Sequence, residues 1–325
     1  MSLVLVTGGA GFIGSNLAAA LADQGRDVVV CDRFGTDGKW LNLARLRLHD
    51  VVSPDDLLPW LTQHAKTLDA IFHMGAISAT TETDVDAILK NNVRLSLDLW
   101  AVATQHALPF IYASSAATYG DGSRGFRDDE DPEALAALSP LNPYGWSKHL
   151  VDRRFATDAR ANRPVPRQWA GLKFFNVYGP NEAHKGDMRS VVHKIYPKIA
   201  ADEEIELFKS HDARYPDGGQ LRDFVYVKDC VAVALWLLDN PGVSGLFNVG
   251  TGTARSFYDL AQAVGAALGR EPRIRFIDMP TALRARYQYF TQADMRKLRA
   301  AGYTAAAWSL EDGVSDYVET ALKTG

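Results

Sequence analysis

The strand-like run Leu3–Thr7, followed at once by Gly8-Gly9-Ala10-Gly11-Phe12-Ile13-Gly14, constrains this chain more than any other feature. The run is short, apolar and β-branched, as a strand buried on both faces must be. Gly8, Gly11 and Gly14 then form a G-x-x-G-x-x-G turn. Beyond it Ile13, Leu17, Ala20 and Leu21 share one face of a helix. A second β-branched run, Val28-Val29-Val30-Cys31-Asp32, completes a βαβ unit. Without these flanks the glycines would make an ordinary turn. Between strand and helix they let backbone approach a pyrophosphate, whose charge the free N–H groups of the helix start attract. The setting predicts a dinucleotide site. No Gly-Lys-Ser/Thr follows, so the turn is not a nucleotide-triphosphate loop.

The alternation continues along the chain. Helix patterns fall at 55–64, 84–106, 144–159 and 229–239, and strand patterns at 69–73, 110–114, 171–175, 222–227 and 246–249. Nearly continuous apolar strands alternating with amphipathic helices predict an α/β fold. The expected form is a Rossmann-type, doubly wound parallel sheet. After Asn176 the rhythm breaks, and 209–220 is polar with Pro216, Gly218 and Gly219, a loop. The expected division is a cofactor-binding domain, 1–175 and 222–250, and a smaller discontinuous C-terminal substrate domain, 176–221 and 251–325.

Charge and cysteines narrow the function. A formal net charge of −4 gives no electrostatic case for nucleic acid or an anionic membrane. The two cysteines, Cys31 and Cys230, lie in apolar runs and read as isolated buried thiols. No apolar run reaches spanning length, and the apolar start lacks the basic flank and cleavage site of a signal peptide, which points to the cytoplasm. The eight histidines have no metal-ligand spacing, so no metal is expected. His73 reads as a satisfied structural histidine, and Asp128-Asp129-Glu130-Asp131 as a solvated acidic loop.

Asp32, ending the second strand, is placed to bind the adenine ribose hydroxyls, which alone suggests NAD. Arg33 and Lys39 follow it, and the two cations could instead hold a 2′-phosphate; both could also be solvated loop cations. NADP is the preferred reading. Tyr144 and Lys148, four apart on one helix face, form a Tyr-x-x-x-Lys pair. An ammonium beside a phenol favours the phenolate, so Tyr144 could take a proton from a substrate hydroxyl while Lys148 also binds the cofactor ribose. Upstream, Ser114, Ser115 and Thr118 stand at a strand end, and Ser115 is the candidate to orient the reacting oxygen. Each feature alone has a bland structural reading. Their conjunction, in the order this chemistry requires, points to an oxidoreductive enzyme.

These residues resemble the extended short-chain dehydrogenase/reductase family. The resemblance rests on 6–16, 112–120 and 142–148. The runs Phe174-Phe175-Asn176-Val177-Tyr178-Gly179-Pro180, His184-Lys185-Gly186, Arg286-Tyr287-Gln288 and Phe290-Thr291-Gln292-Ala293-Asp294 are similar to its epimerases of ADP-linked heptose. The resemblance implies that Tyr144 and Lys185 are acid/base groups and that Lys148 holds the cofactor. It implies cofactor contacts at Phe12, Ile13, Asp32, Arg33, Lys39, Met74, Gly75, Ala76, Ile77, Ser78, Asn91 and Val177. Asn176, Asp187, Lys194, Phe208, Lys209, Ser210, His211, Arg222 and Tyr287 fall at substrate positions. Asp187 and Lys194 stand where the family pattern has serine and histidine, and Pro54 falls near its cofactor-binding lysine. The implied activity is epimerisation at C6″ of an ADP-heptose with tightly bound NADP, for lipopolysaccharide core synthesis, by a homo-oligomer such as a pentamer. The alternatives are another nucleotide-sugar epimerase, a 4,6-dehydratase, a simple reductase, or a non-catalytic NADP-sensing module. Ala116 and Ala117 after Ser115 argue against the dehydratase, and the Tyr144/Lys148 pair against the sensor.

Overall fold

Strand ends, more than any other element, position the site. The computed structural model describes residues 2–284 and 287–323, so Arg286 of the expected Arg286-Tyr287-Gln288 run lies outside the described residues. Seven parallel strands form the central sheet: β1 (Leu3–Thr7), β2 (Asp27–Cys31), β3 (Asp50–Val52), β4 (Leu68–His73), β5 (Pro109–Ser115), β6 (Gln168–Phe174) and β7 (Gly245–Val249). Their order, β7-β6-β5-β4-β1-β2-β3, reverses direction of travel between β1 and β4. A doubly wound sheet opens a ligand crevice at such a switch point. The α/β Rossmann-type fold expected from the sequence is the fold observed.

Strand periodicity explains the two cores. Val4 and Val6 enter one buried cluster with Leu17, Leu21, Ala234 and Leu237, while Leu3 and Leu5 enter another with Leu57, Leu61, Leu99 and Trp100. Alternate side chains thus feed helices on opposite faces. The third cluster, around Val192, Ile195, Leu260 and Val314, belongs to the C-terminal elements.

Register aligns the strand ends. Thr7 pairs with Cys31 and with His73, and His73 pairs with Tyr112. Residues just beyond that row therefore emerge together: Gly8, Asp32, Met74 and the end of β5. The approach is close enough to demand glycine. Gly8 has φ +65°, and a Cβ there would lie 2.5 Å from Gly75 Cα. A Cβ on Gly14 would lie 2.1 Å from the Gly8 carbonyl oxygen. His73 is fully buried between Thr7 Oγ1, at 2.6 Å, and Ser96 Oγ, at 2.9 Å, and burial depresses its pKa to about 3. It is a structural histidine, as its sequence setting suggested.

Two expectations need correction. The acidic run at 128–131 is not simply solvated. Asp128 is buried and accepts from the Asn248 amide at 2.9 Å, and Glu130 accepts from the Leu246 amide at 3.1 Å. The carboxylates satisfy outward N–H groups of β7, one of the two edge strands of the central sheet. The 222–227 pattern is also not one strand of the central sheet. It splits into Leu221–Arg222, paired with Arg255–Ser256, and Phe224–Tyr226, paired with Asn176–Tyr178. Among the described residues no helix is long and apolar enough to cross a membrane.

Candidate active site

A cleft of about 470 Å³ opens over the strand ends, a size suited to a small-molecule or cofactor site. Its lining gathers most of the expected cofactor residues: Gly8, Gly11, Phe12, Ile13, Gly14, Asp32, Lys39, Met74, Gly75, Ala76, Ile77, Ser78 and Val177. Ser115, Tyr144, Lys148 and Lys185 line the same cleft. Asp37, Phe174, Phe175, His184 and Met188 join them without having been singled out as site residues.

The cleft suits a dinucleotide. Glycine backbone forms its floor, and at one end Asp32 accepts from the Ala10 amide at 2.9 Å and from Lys39 Nζ at 3.1 Å. Arg33 does not line this cleft. It borders an adjoining groove that shares Asp32, and its guanidinium is held by Asp55 through two hydrogen bonds of 2.6 and 3.0 Å. Both partners are exposed, so water screens the pair and another anion can replace Asp55. Asn91 also stays outside the lining and donates to the Ala87 carbonyl at 2.8 Å. Its neighbour Asn92 does the holding. Asn92 is buried within the π turn Leu89–Arg94, accepts from the Ile77 amide at 2.8 Å and donates to the Ile77 carbonyl at 3.0 Å and to Ser147 Oγ at 3.0 Å. It thereby ties the 74–78 loop to the helix that bears Tyr144.

That helix, Pro143–Arg160, begins where the sequence dictates: Asn142 caps it by accepting from the Gly145 amide at 2.8 Å, and Pro143 occupies the first turn. Tyr144 and Lys148 face the cleft one turn apart. Burial raises the Tyr144 phenol above its ordinary range, opposed by a hydrogen bond with Ser115, while the Asp152 charge raises it further. Burial lowers Lys148 to about 8, opposed by Asp152. Burial thus opposes charge on both groups, and added positive charge in the cleft would favour the phenolate, the form of Tyr144 that can accept a proton. Ser115 ends β5, and its Oγ accepts from the Ala117 amide at 3.1 Å, which fixes it at the mouth of the turn Ala116–Tyr119.

Lys185 reaches the cleft from another element, the turn Ala183–Met188, with its ammonium 5.2 Å from the centre of the Phe12 ring. Burial lowers its pKa, opposed by the charge of Glu182. Glu182 is itself buried and holds the loop. It accepts from the Ser190 amide, from Ser190 Oγ at 2.6 Å and from the Tyr317 hydroxyl at 3.1 Å. His184 lies 3.4 Å from the Asn42 side-chain amide, which also donates to the Ala10 carbonyl at 2.9 Å, so the same loop is tied to the phosphate turn.

The expected substrate residues gather elsewhere or stand apart. Arg222 is buried, with its guanidinium 5.1 Å from the centre of the Tyr287 ring and 5.6 Å from that of Phe257. Phe208 packs edge-on to Tyr287, and the 209–211 loop continues from it: the Ser210 amide donates to Asp217 at 2.8 Å, the His211 amide donates to the Tyr289 hydroxyl at 3.0 Å, and Lys209 lies 3.7 Å from Asp278. Asn176 is exposed and accepts from Thr291 Oγ1 at 3.5 Å. Asp187 and Lys194 are exposed and joined to each other, Lys194 Nζ donating to the Asp187 carbonyl at 2.6 Å.

Comparison with known proteins agrees with this geometry. The model of the NAD dependent epimerase/dehydratase family matches residues 4–250. ADP-L-glycero-D-manno-heptose-6-epimerase from Nitratidesulfovibrio vulgaris is 50% identical, with 98% of each chain covered. The crystal structure of ADP-L-glycero-D-manno-heptose-6-epimerase from Helicobacter pylori is 30% identical and superposes with a TM-score of 0.80, over 98% of this chain and 95% of that one. UDP-glucose 4-epimerase from Thermus thermophilus, in complex with NAD, is 25% identical, with a TM-score of 0.74 over 98% of each chain. A glycine-floored cleft, a Tyr/Lys helix beside a strand-end serine, and full-length similarity to nucleotide-sugar enzymes lead to one assignment: the chain belongs to the NAD dependent epimerase/dehydratase family.

Proposed function

We propose that this enzyme interconverts ADP-D-glycero-D-manno-heptose and ADP-L-glycero-D-manno-heptose by transient oxidation at C6″ with NADP retained in the cleft. The observation that carries the reading is that two titratable side chains, Tyr144 and Lys185, line one cleft from different elements, which suits them to be its two proton-transfer groups. The glycine turn and the 74–78 loop would hold a nicotinamide dinucleotide that, when bound, would supply reversible hydride transfer at the carbinol carbon. Tyr144, assisted by Ser115 and the Lys148 ammonium, takes the hydroxyl proton as the C6″ carbonyl forms. That carbonyl is flat and exocyclic. Turned over, its oxygen meets Lys185, which donates the proton as the opposite configuration is made. A plain dehydrogenase needs no second group of this kind.

NADP is preferred to NAD because Lys39 already sits beside Asp32, offsetting a charge that would repel a 2′-phosphate, and Arg33 can exchange Asp55 for that phosphate. Gly8, Gly11, Gly14, Phe12, Ile13 and the 74–78 loop would hold the dinucleotide, with Asn91 and Val177 at its edge. The division proposed is a cofactor domain of 1–175 and 222–250 and a substrate domain of 176–221 and 251–325. In the second, Arg222 between two rings suits the substrate diphosphate, alongside Tyr287, Asn176 and 208–211, with Asp187 and Lys194 at the mouth. A homo-oligomer such as a pentamer, operating in the cytoplasm, completes the proposal.

The test is incubation of the purified protein with ADP-D-glycero-D-manno-heptose, reading the 6″ configuration by NMR. Conversion to the L-glycero epimer is expected. An unchanged sugar, with another nucleotide sugar epimerised instead, would overturn the substrate assignment.

A further inference from the structure

Behind Tyr144 and Ser115, away from the cleft, lies an ion pair that the reaction as described does not use. Lys173 of β6 and Asp152 of the Tyr144 helix meet at 2.6 Å, with both side chains fully buried. A buried ion pair is a weak device for stability, since desolvation offsets the attraction, so its position calls for another reason. Asp152 is saturated with donors: Lys173, Ser114 Oγ at 2.7 Å and the Tyr112 hydroxyl at 2.9 Å. Lys173 also donates to Thr118 Oγ1 at 2.8 Å, and Thr118 donates to the Ser115 carbonyl at 2.8 Å. One relay therefore runs from the helix of Tyr144, through Lys173 and Thr118, to the backbone of Ser115. Its members come from β5, the turn after it, β6 and the helix.

Position along the helix gives the pair an electrostatic role as well. Tyr144, Lys148 and Asp152 are at i, i+4 and i+8 and share a face. The Asp152 charge acts on both of the others, raising Tyr144 and Lys148. Besides these, the titratable groups around the pair are His149 on the same helix and Tyr112 and Tyr119 from β5 and its turn, whose phenols also feel Glu130 and Asp128 respectively. Burial depresses His149 to about 4, so it is neutral at working pH, and Lys173 is the cation that meets Asp152 directly.

We propose that Lys173 and Asp152 are positioning residues for the epimerisation: their ion pair fixes the Ser115 strand end against the Tyr144 helix and offsets part of the Asp152 field at Tyr144. The proposal rests on Tyr144 being a proton-transfer group. Removing the ammonium alone leaves an unmatched carboxylate two helical turns from the phenol, roughly 12 Å along the axis. At an effective dielectric near 20, a unit charge at about that distance shifts a pKa by about one unit.

The experiment is the pH dependence of kcat for epimer conversion of ADP-D-glycero-D-manno-heptose, in the holoenzyme and four variants. Lys173→Met should lose up to about 10²-fold in kcat, with substrate KM little changed, and move the limb governed by Tyr144 upward by about one pH unit. Asp152→Asn, which leaves the ammonium unmatched, should move it downward. Lys173→Arg, keeping charge and donors, should retain the wild-type profile. Lys173→Met/Asp152→Leu removes both charges and should return the limb to its wild-type position. If Lys173→Met does not fold, the downward shift in Asp152→Asn and the unshifted double variant decide the matter. Activity losses with an unmoved limb in both single variants would overturn the proposal and leave the pair a packing feature. Tyr144→Phe, measured beside them, separates the two ideas: near-native turnover there removes Tyr144 from the chemistry and the proposal with it, whereas an inactive Tyr144→Phe with unmoved limbs elsewhere sinks the ion-pair role alone.

Discussion

On the sheet side of the cleft, Gly8, Asp32 and Met74 stand one residue beyond a single register row across β2, β1 and β4, and Ser115 ends β5, which runs three residues past that row. On the other side Lys185 stands on a turn with no strand behind it, held by the buried carboxylate of Glu182 and by Tyr317 from the C-terminal helix Leu310–Tyr317. The sheet side is fixed by backbone that any sequence of this fold shares. The loop side is fixed by a few side-chain contacts that belong to this chain. Generic redox chemistry therefore belongs on the first side and the choice of reaction on the second.

Substitutions on the two sides should fail differently. The largest effect is expected at Tyr144. Tyr144→Phe keeps the ring packing and should bind NADP normally while epimerisation falls by about 10²–10⁴-fold. Stopped conversion with an intact cofactor titration fits, and near-native turnover would remove the phenol from the mechanism. Next comes the substrate side. Arg222→Met should raise the KM for ADP-heptose by about 10–100-fold, the scale of one lost charge-assisted contact to a phosphate, with kcat and cofactor affinity little changed. A loss falling on kcat alone would place Arg222 with the packing of Tyr287 and Phe257 and not with the diphosphate. The smallest effect belongs to the cofactor edge. Arg33→Ala should weaken NADP several-fold and leave NAD nearly unaffected, because its present partner Asp55 is exposed and easily exchanged. Titration of the apoprotein with both cofactors checks this, and equal losses would reject Arg33 as a 2′-phosphate ligand.

The same contrast explains what could be read from the residues. Asp32 and Ser115 were legible because a strand end has one address in a doubly wound sheet, and Tyr144 and Lys148 because four residues make one helical turn. The three-residue edge strand Asp50–Val52 was not, since its pattern is too short to carry a period. Nor was the role of Asn92, whose hold on Ile77 depends on a π turn in the middle of a helical pattern. The contacts that fix Lys185 were out of reach for a simpler reason: Glu182 and Tyr317 lie 135 residues apart, and no local rule pairs them. The acidic run at 128–131 misled because the backbone amides it serves, on β7, are more than a hundred residues away.

In the proposed mechanism, Lys185 distinguishes a two-sided epimerase from a one-sided dehydrogenase. The direct measurement is the rate of 6″ epimer conversion by Lys185→Met, followed by NMR from each epimer, beside an NADP titration. Met approximates the aliphatic stem but lacks the ammonium that sits over the Phe12 ring and carries no proton to donate. Unchanged NADP binding is expected, with conversion slowed by about 10²–10⁴-fold and by the same factor in both directions, because both pass through one carbonyl intermediate. Conversion at near wild-type rate from either epimer would make Lys185 a loop cation and contradict the two-group scheme.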